Sequence, residues 1–262
     1  MQASEQNRRA WNAGAYESWI NRFGTPEEAA KRIQQAPIKS IGTAFKYMEQ
    51  PIAGKRIVNL LGSNGMKAVA LAHMGAIVTV VDFSSGNERY AAELADRAGV
   101  ALSYLVADVL KLSPHELSAP YDIVYMEMGI LHYFTDLNPL FGLVHRLLNE
   151  GGMMILQDFH PVSTKLITSR GTTAAIRKHK VTGDYFAATL TETKVSHAKY
   201  SDSALNDEAD RKVYLRHWTL GEIITAIAGA GLTIQVLEEL PNMSSDVFDK
   251  GIPKTFTAVA IK

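Results

Sequence analysis

The stretch RIVNLLGSNGMKAVALAHMGAIVTVVD (56–82) constrains the fold more than any other part of the chain. A short apolar run, RIVNLL, breaks at Gly62-Ser63-Asn64-Gly65. A helical pattern follows, with Ala68, Val69, Leu71 and Ala72 on one face, and Gly75 closes it. AIVTVV (76–81) is a second β-branched run that ends at Asp82. Strand, tight turn, helix and strand in this order form a βαβ unit, whose two strands run parallel because the helix carries the chain back to the starting end. Parallel sheets are covered on both faces, so the rest of the chain has to supply further strands and helices.

It does so with the same rhythm. Ser85-x-x-Glu88 predicts a capped helix with Tyr90, Ala91, Leu94, Ala95 and Ala98 facing inward, stopped at Gly99. LSYLV (102–106), DIVYME (122–127) and GMMILQ (152–157) read as strands. Leu137, Leu140, Phe141, Val144, Leu147 and Leu148 share one helix face between the last two. Thr219-x-x-Glu222 predicts a helix stopped by Gly231, and LTIQVLEEL (232–240) and TFTAVAIK (255–262) a closing antiparallel pair. Upstream, Thr25-Pro26-Glu27-Glu28 carries the N-cap, first-turn proline and capping-box glutamate of a helix that stops before Pro37. A further helix is expected at 40–50. The pattern lapses between 160 and 213, read as an insertion with antiparallel strands near TLTETKVS (189–196). The expectation is one α/β domain over 1–262: a doubly wound, mostly parallel seven-stranded sheet with a C-terminal antiparallel strand, an N-terminal helical lid (1–50) rich in aromatics (Trp11, Tyr16, Trp19, Phe23), and a substrate-side insertion after strand five.

Composition narrows the function. Lys+Arg 27 against Asp+Glu 27 gives zero net charge, without the basic field that a nucleic-acid partner demands. Cysteine is absent, which removes disulfides, thiolate metal sites and thiol nucleophiles together. The amino terminus has no apolar core of signal-peptide type, and the longest apolar stretch, Ala68 to Val81, is interrupted by His73, Gly75 and Thr79. A soluble, cytoplasmic protein with no membrane partner is expected. No His and carboxylate cluster stands at metal-ligand spacing, so no metal is expected. The oligomeric state stays open, a homodimer included.

Three strand ends carry the chemistry. Gly62 and Gly65 permit a sharp turn and a close ligand approach, and Ser63 or Asn64 can cap the helix that follows. Asp82 ends the second strand, 20 residues after Gly62, where doubly wound sheets place an acid for ribose hydroxyls. Asp108 follows the third strand. The turn lacks one glycine of G-x-G-x-x-G, and no Gly-Lys-Ser/Thr follows, so a nucleoside without bridging phosphates suits it better than a dinucleotide or a nucleoside triphosphate.

On these residues, 56–160 resembles the core of the class I S-adenosylmethionine-dependent methyltransferases, small-molecule branch. Tyr121–Tyr125 through Gly129-Ile130-Leu131-His132-Tyr133-Phe134 is similar to the family's fourth-strand segment, Leu147–Gly152 to its turn before strand five, and Asp158-Phe159-His160-Pro161 to the end of that strand. The chain departs at Asn59, where the family has an acid, and at Leu61 and Ser63, where it has glycines. The resemblance implies S-adenosylmethionine as cofactor, S-adenosylhomocysteine as product, and in-line methyl transfer to an oxygen or nitrogen of a small molecule. It implies that Asp82 binds the ribose, Phe83 packs on the adenine, Asp108 and the Val109 backbone meet the adenine edge, and Gly62, Ser63, Asn64 and Glu127 surround the methionine end, with Tyr16 as a cover. His132 and His160 follow strands four and five and are the candidate general bases, with His217 a third. Arg177-Lys178-His179-Lys180 would attract an acidic acceptor, and Tyr185, Phe186 and Tyr200 would grip a flat one. Two other readings stay open: a non-catalytic nucleoside-binding or scaffold protein on the same fold, and a nicotinamide-dependent oxidoreductase.

Overall fold

A computed structural model describes residues 2–112, 117, 120–169, 180–201, 211–241 and 251–262. His115-Glu116, Arg177–His179 and the acidic, Ser-rich run from 202 to 210 lie outside them. The chain opens with four helices, α1 (Gln2–Asn12), α2 (Ala15–Phe23), α3 (Pro26–Gln35) and α4 (Pro37–Ile41). The α/β part follows as β1 (Arg56–Leu60), α5 (Met66–His73), β2 (Ile77–Asp82), α6 (Ser85–Ala98), β3 (Ser103–Val106), β4 (Tyr121–Glu127), α7 (Asn138–Leu147) and β5 (Leu148–Phe159). The inserted segment holds β6 (Ile167–Ser169), β7 (Lys180–Val181), β8 (Leu190–Lys194) and β9 (Lys212–Arg216). The chain closes with α8 (Leu220–Gly229), β10 (Thr233–Pro241) and β11 (Pro253–Ile261).

The seven-stranded sheet has the order β10-β11-β5-β4-β1-β2-β3. Its strands from β3 to β5 are parallel, and β11 lies antiparallel between β5 and β10. Strand order reverses at β1, so a crevice opens outside the carboxyl ends of β1, β2 and β4. The registers Leu60↔Val81 and Leu60↔Met126 bring those ends level. Alternation divides the core. Val58, Leu60, Val124, Met126 and Leu156 face α7 and α8, against Phe141, Val144, Ile223 and Ile227. Ile57, Ile123, Tyr125 and Ile155 face the other layer, against Ile33, Val69, Tyr90 and Leu94. Trp19 of α2 belongs to that second cluster, so the N-terminal arm is part of the packing.

Both predicted capping boxes form, at Thr25/Glu28 and at Thr219/Glu222. Two local expectations are corrected. The cap of α6 is Ser84, whose hydroxyl accepts the Asn87 N–H, and Ser85 is the first helical residue. The helix expected at 40–50 is broken at Gly42, whose φ of 90° ends α4, and Thr43–Tyr47 is a separate 3-10 turn. Among the described residues no helix is long and apolar enough to cross a membrane, and no three metal-binding side chains cluster.

Candidate functional site

The turn after β1 is shaped by what each position can hold. A Cβ on Gly62 would lie 2.6 Å from Asn59 Oδ1 and 2.8 Å from Val80, and one on Gly65 would lie 2.6 Å from Ala91 Cβ. Leu61 and Ser63 take φ of 52° and 49°, a left-handed backbone that costs a residue with a Cβ roughly 1–2 kcal/mol. They thus keep a glycine-type conformation without glycine. Hydrogen bonds hold it: the Ser63 N–H donates to Asp82 (3.1 Å), the Tyr104 hydroxyl to the Ser63 carbonyl (2.7 Å), and the Met66 N–H to the Asn64 side chain (3.2 Å). Buried Asn59 donates to the Tyr125 carbonyl at 3.2 Å and ties β1 to β4.

Asp82 also accepts from the Ser84 N–H (3.0 Å) and the Asn87 amide (3.1 Å). Burial raises its carboxyl above the usual range, and the donors from Ser84, Asn87, Ser63 and Phe83 pull it back only in part. Its outer side forms one wall of a cavity of about 400 Å³, which Leu61, Phe83, Asp108 and Val109 line from the sheet side. Phe134 and Pro139 also line it, together with Ala3, Ser4, Glu5 and Asn7 of α1. The Ser4 hydroxyl donates to Asp108 at 3.5 Å. Asp108 also accepts the Leu110 N–H (3.1 Å) and pairs with Lys111 (3.2 Å). Apolar walls with a few convergent carboxylates suit a flat, hydroxyl-bearing ligand of nucleoside size.

Of the residues singled out in the sequence, Asp82, Phe83, Asp108 and Val109 meet in this cavity, and Gly62, Ser63 and Asn64 build the turn beside it. Three others are placed elsewhere. Tyr16 donates to Glu93 at 2.6 Å and lies under the Arg89 guanidinium, on α6 and away from the cavity. Glu127, at the end of β4, pairs with Lys67 of α5 and accepts the Tyr125 hydroxyl at 2.9 Å. His160 caps the end of β5: its Nδ1 accepts the Val162 N–H (3.1 Å), which leaves Nε2 to donate to Glu239 at 2.5 Å.

His132 is brought close to His217, with ring centres 6.0 Å apart. Both line a small hollow, about 20 Å³, with Asp158, Phe159, Thr164 and Trp218. Burial, aided by His217, drives His132 down to about 3. Asp158 fixes the segment by accepting the backbone N–H groups of Gly129, Ile130 (3.2 Å) and Leu131 (3.1 Å). Tyr133 and Phe134 of the same turn line the larger cavity, so one short segment forms the wall between the two spaces. The sequence reading missed Asn7 and Ser4, which carry no motif, and Lys67. Its only signal was a cation in the first turn of the helix after the glycines.

Residues 57–152 match the family described as "Methyltransferase domain". Among curated proteins the chain is 28% identical over 109 residues to the ubiquinone biosynthesis O-methyltransferase of Methylocella silvestris, covering 42% of this chain and 41% of that protein. It is 29% identical over 106 residues to the protein of the same description from a Caulobacter species, covering 40% and 41%. The chain therefore spans about two fifths of these relatives. Among solved structures, the fold is similar to an S-adenosylmethionine dependent methyltransferase from Mesorhizobium loti, with TM-score 0.61, 23% identity and coverage of 84% and 99%. It is also similar to the magnesium protoporphyrin IX methyltransferase of Synechocystis PCC 6803 with bound SAH, with TM-score 0.60, 14% identity and coverage of 99% and 99%.

Proposed function

We propose that the activity is methyl transfer from S-adenosylmethionine to a small molecule, a reading supported by the match of residues 57–152 to a methyltransferase family and by a fold similar to that of an S-adenosylmethionine dependent methyltransferase. One observation carries the reading: Asp82, Phe83, Asp108 and Val109 share a cavity at the carboxyl ends of β2 and β3. These residues fit the nucleoside half of that cofactor. The Asp82 and Asp108 carboxylates are acceptors for ribose hydroxyls and an exocyclic amine, and Phe83, Val109 and Leu61 offer apolar faces to a base. When bound, S-adenosylmethionine supplies a methyl group on a positively charged sulfur, open to in-line displacement. The protein's own task is alignment and exclusion of water, to which the α1 residues that line the cavity contribute.

The acceptor reading rests on the short segment that carries His132 and Tyr133, since the hollow that His132 lines, about 20 Å³, has room for about one water. His132 follows β4 one residue before Tyr133 of the cavity wall, which puts it in reach of an acceptor; the burial that holds it uncharged also opposes the imidazolium, so a base role requires the bound acceptor to offset that cost. The curated relatives are named as O-methyltransferases, which supports a hydroxyl acceptor. The chain's zero net charge supports a small molecule over a polyanion.

Calorimetry with S-adenosylhomocysteine and with NAD tests the cofactor. S-adenosylhomocysteine should bind and NAD should not, and Asp82→Ala should weaken binding at least tenfold, since hydrogen bonds to a charged group are worth about 1.5–3 kcal/mol each. Undiminished affinity in Asp82→Ala would remove the assignment. His132→Ala should lower turnover of a hydroxyl acceptor about a hundredfold and leave cofactor affinity intact. Tight binding of S-adenosylhomocysteine with no turnover on any hydroxyl or amine acceptor would instead support a nucleoside-binding protein without catalysis.

A further inference from the structure

Two side chains tie α1 to β9: Gln6 donates to the Lys212 carbonyl at 3.3 Å, and Asn7 makes a bond in each direction. Asn7 is buried, 3% exposed, and lies in the cavity wall. Its amide donates to the Tyr214 carbonyl (3.0 Å), and its Oδ1 accepts the Tyr214 N–H (2.8 Å). This two-way bridge is the pairing that a neighbouring strand would make with β9. The other edge of β9 pairs with β8, where Tyr214 lies opposite Glu192. A helix thus takes the place of a third strand on the ribbon, and Ala10 packs beneath it against Val195, Val213 and Leu215. Movement of α1 away from the cavity it lines strips both backbone groups of Tyr214 of their Asn7 partner.

We propose that Asn7 is a positioning residue that couples α1, over the nucleoside cavity, to the β8–β9 ribbon of the inserted segment, so that the two cover and uncover the cavity as one body. The inference rests on the nucleoside reading of that cavity. Its consequence is that release of the nucleoside and motion of the ribbon share one step.

Hydrogen exchange of the ligand-free full chain, residue by residue, tests the coupling without reference to methyl transfer. In Asn7→Ala the amides of α1 and of Tyr214 should exchange at least tenfold faster, and in step, with β4 unchanged. Asn7→Ser, too short to bridge, should repeat the result and serves if the alanine variant does not fold. Arg8→Ala, on the exposed side of the same helix and paired with Glu5, should match the wild type. In stopped flow, S-adenosylhomocysteine should dissociate at least tenfold faster from both Asn7 variants. Faster exchange in α1 with Tyr214 still protected would overturn the coupling, as would an unchanged dissociation rate. Failure of the wild type to bind S-adenosylhomocysteine would refute the nucleoside reading alone, and the exchange data would still decide the coupling.

Discussion

At the scale of single residues, the turn after β1 shows how space and backbone conformation divide the work. Gly62 has an ordinary backbone but no room, with Asn59 Oδ1 2.6 Å from where its Cβ would be. Asn59 cannot yield easily, because it is buried and spends its amide on the Tyr125 carbonyl. Gly62→Ala should therefore destabilise the protein by roughly 1–3 kcal/mol, the range for forcing an extra carbon into a packed interior. Gly221, in the first turn of α8, has nothing within 4 Å of the same point. Gly221→Ala should stabilise by about 0.4–1 kcal/mol, through a less flexible unfolded chain. Urea unfolding of both variants checks the pair, and equal shifts in the same direction would contradict the argument. The glycines at 62 and 65 were legible as a turn from the sequence. That Leu61 and Ser63 adopt the left-handed backbone was not, since residue type alone argues against it.

At the scale of elements, the junction between the arm and the inserted segment has its own pH dependence. His197 is almost wholly buried, between the Ser18 hydroxyl at 3.1 Å and the Ala10 carbonyl at 3.2 Å, with Trp11 and Trp19 beside it. Burial lowers it from the ordinary 6.5 to about 4, with Arg211 adding to the shift. Between those values the unfolded chain holds a proton that the folded chain refuses. The stability that His197 contributes is complete above pH 6.5 and is lost as the pH falls toward 4, by about 1.4 kcal/mol per pH unit. His197→Gln should flatten the stability curve between pH 6.5 and 4.5 by one proton's worth, as read from urea midpoints at each pH; an undiminished slope would show that His197 is not the titrating group. The elements differ in how far the sequence announced them. Capped helices such as α3 and α8 were legible because Thr25/Glu28 and Thr219/Glu222 are local signals. The partners of Tyr16 and His160 were hidden for the opposite reason: Glu93 and Glu239 are each 77 or more positions away, and no local pattern points to them.

For the whole molecule, the mostly parallel seven-stranded sheet and the two-sided core follow from alternating runs that a sequence displays openly, and so do the strand ends that meet in the cavity. What closes the cavity was hidden, because it depends on contacts between distant parts of the chain. Arg56 and Ile77, partners in β1 and β2, are separated by one helix and two turns. Asn7 and Tyr214 are 207 positions apart. The entropy of joining chain ends grows with the length between them, and contacts of large separation come late. The strands from β1 to β3 can assemble from neighbours, whereas the pairing of β11 with β5 and the bridge from α1 to β9 both join distant parts of the chain. In time, then, the binding cavity should be complete only late, and a refolding chain should recover its β1–β3 unit before it can hold a ligand.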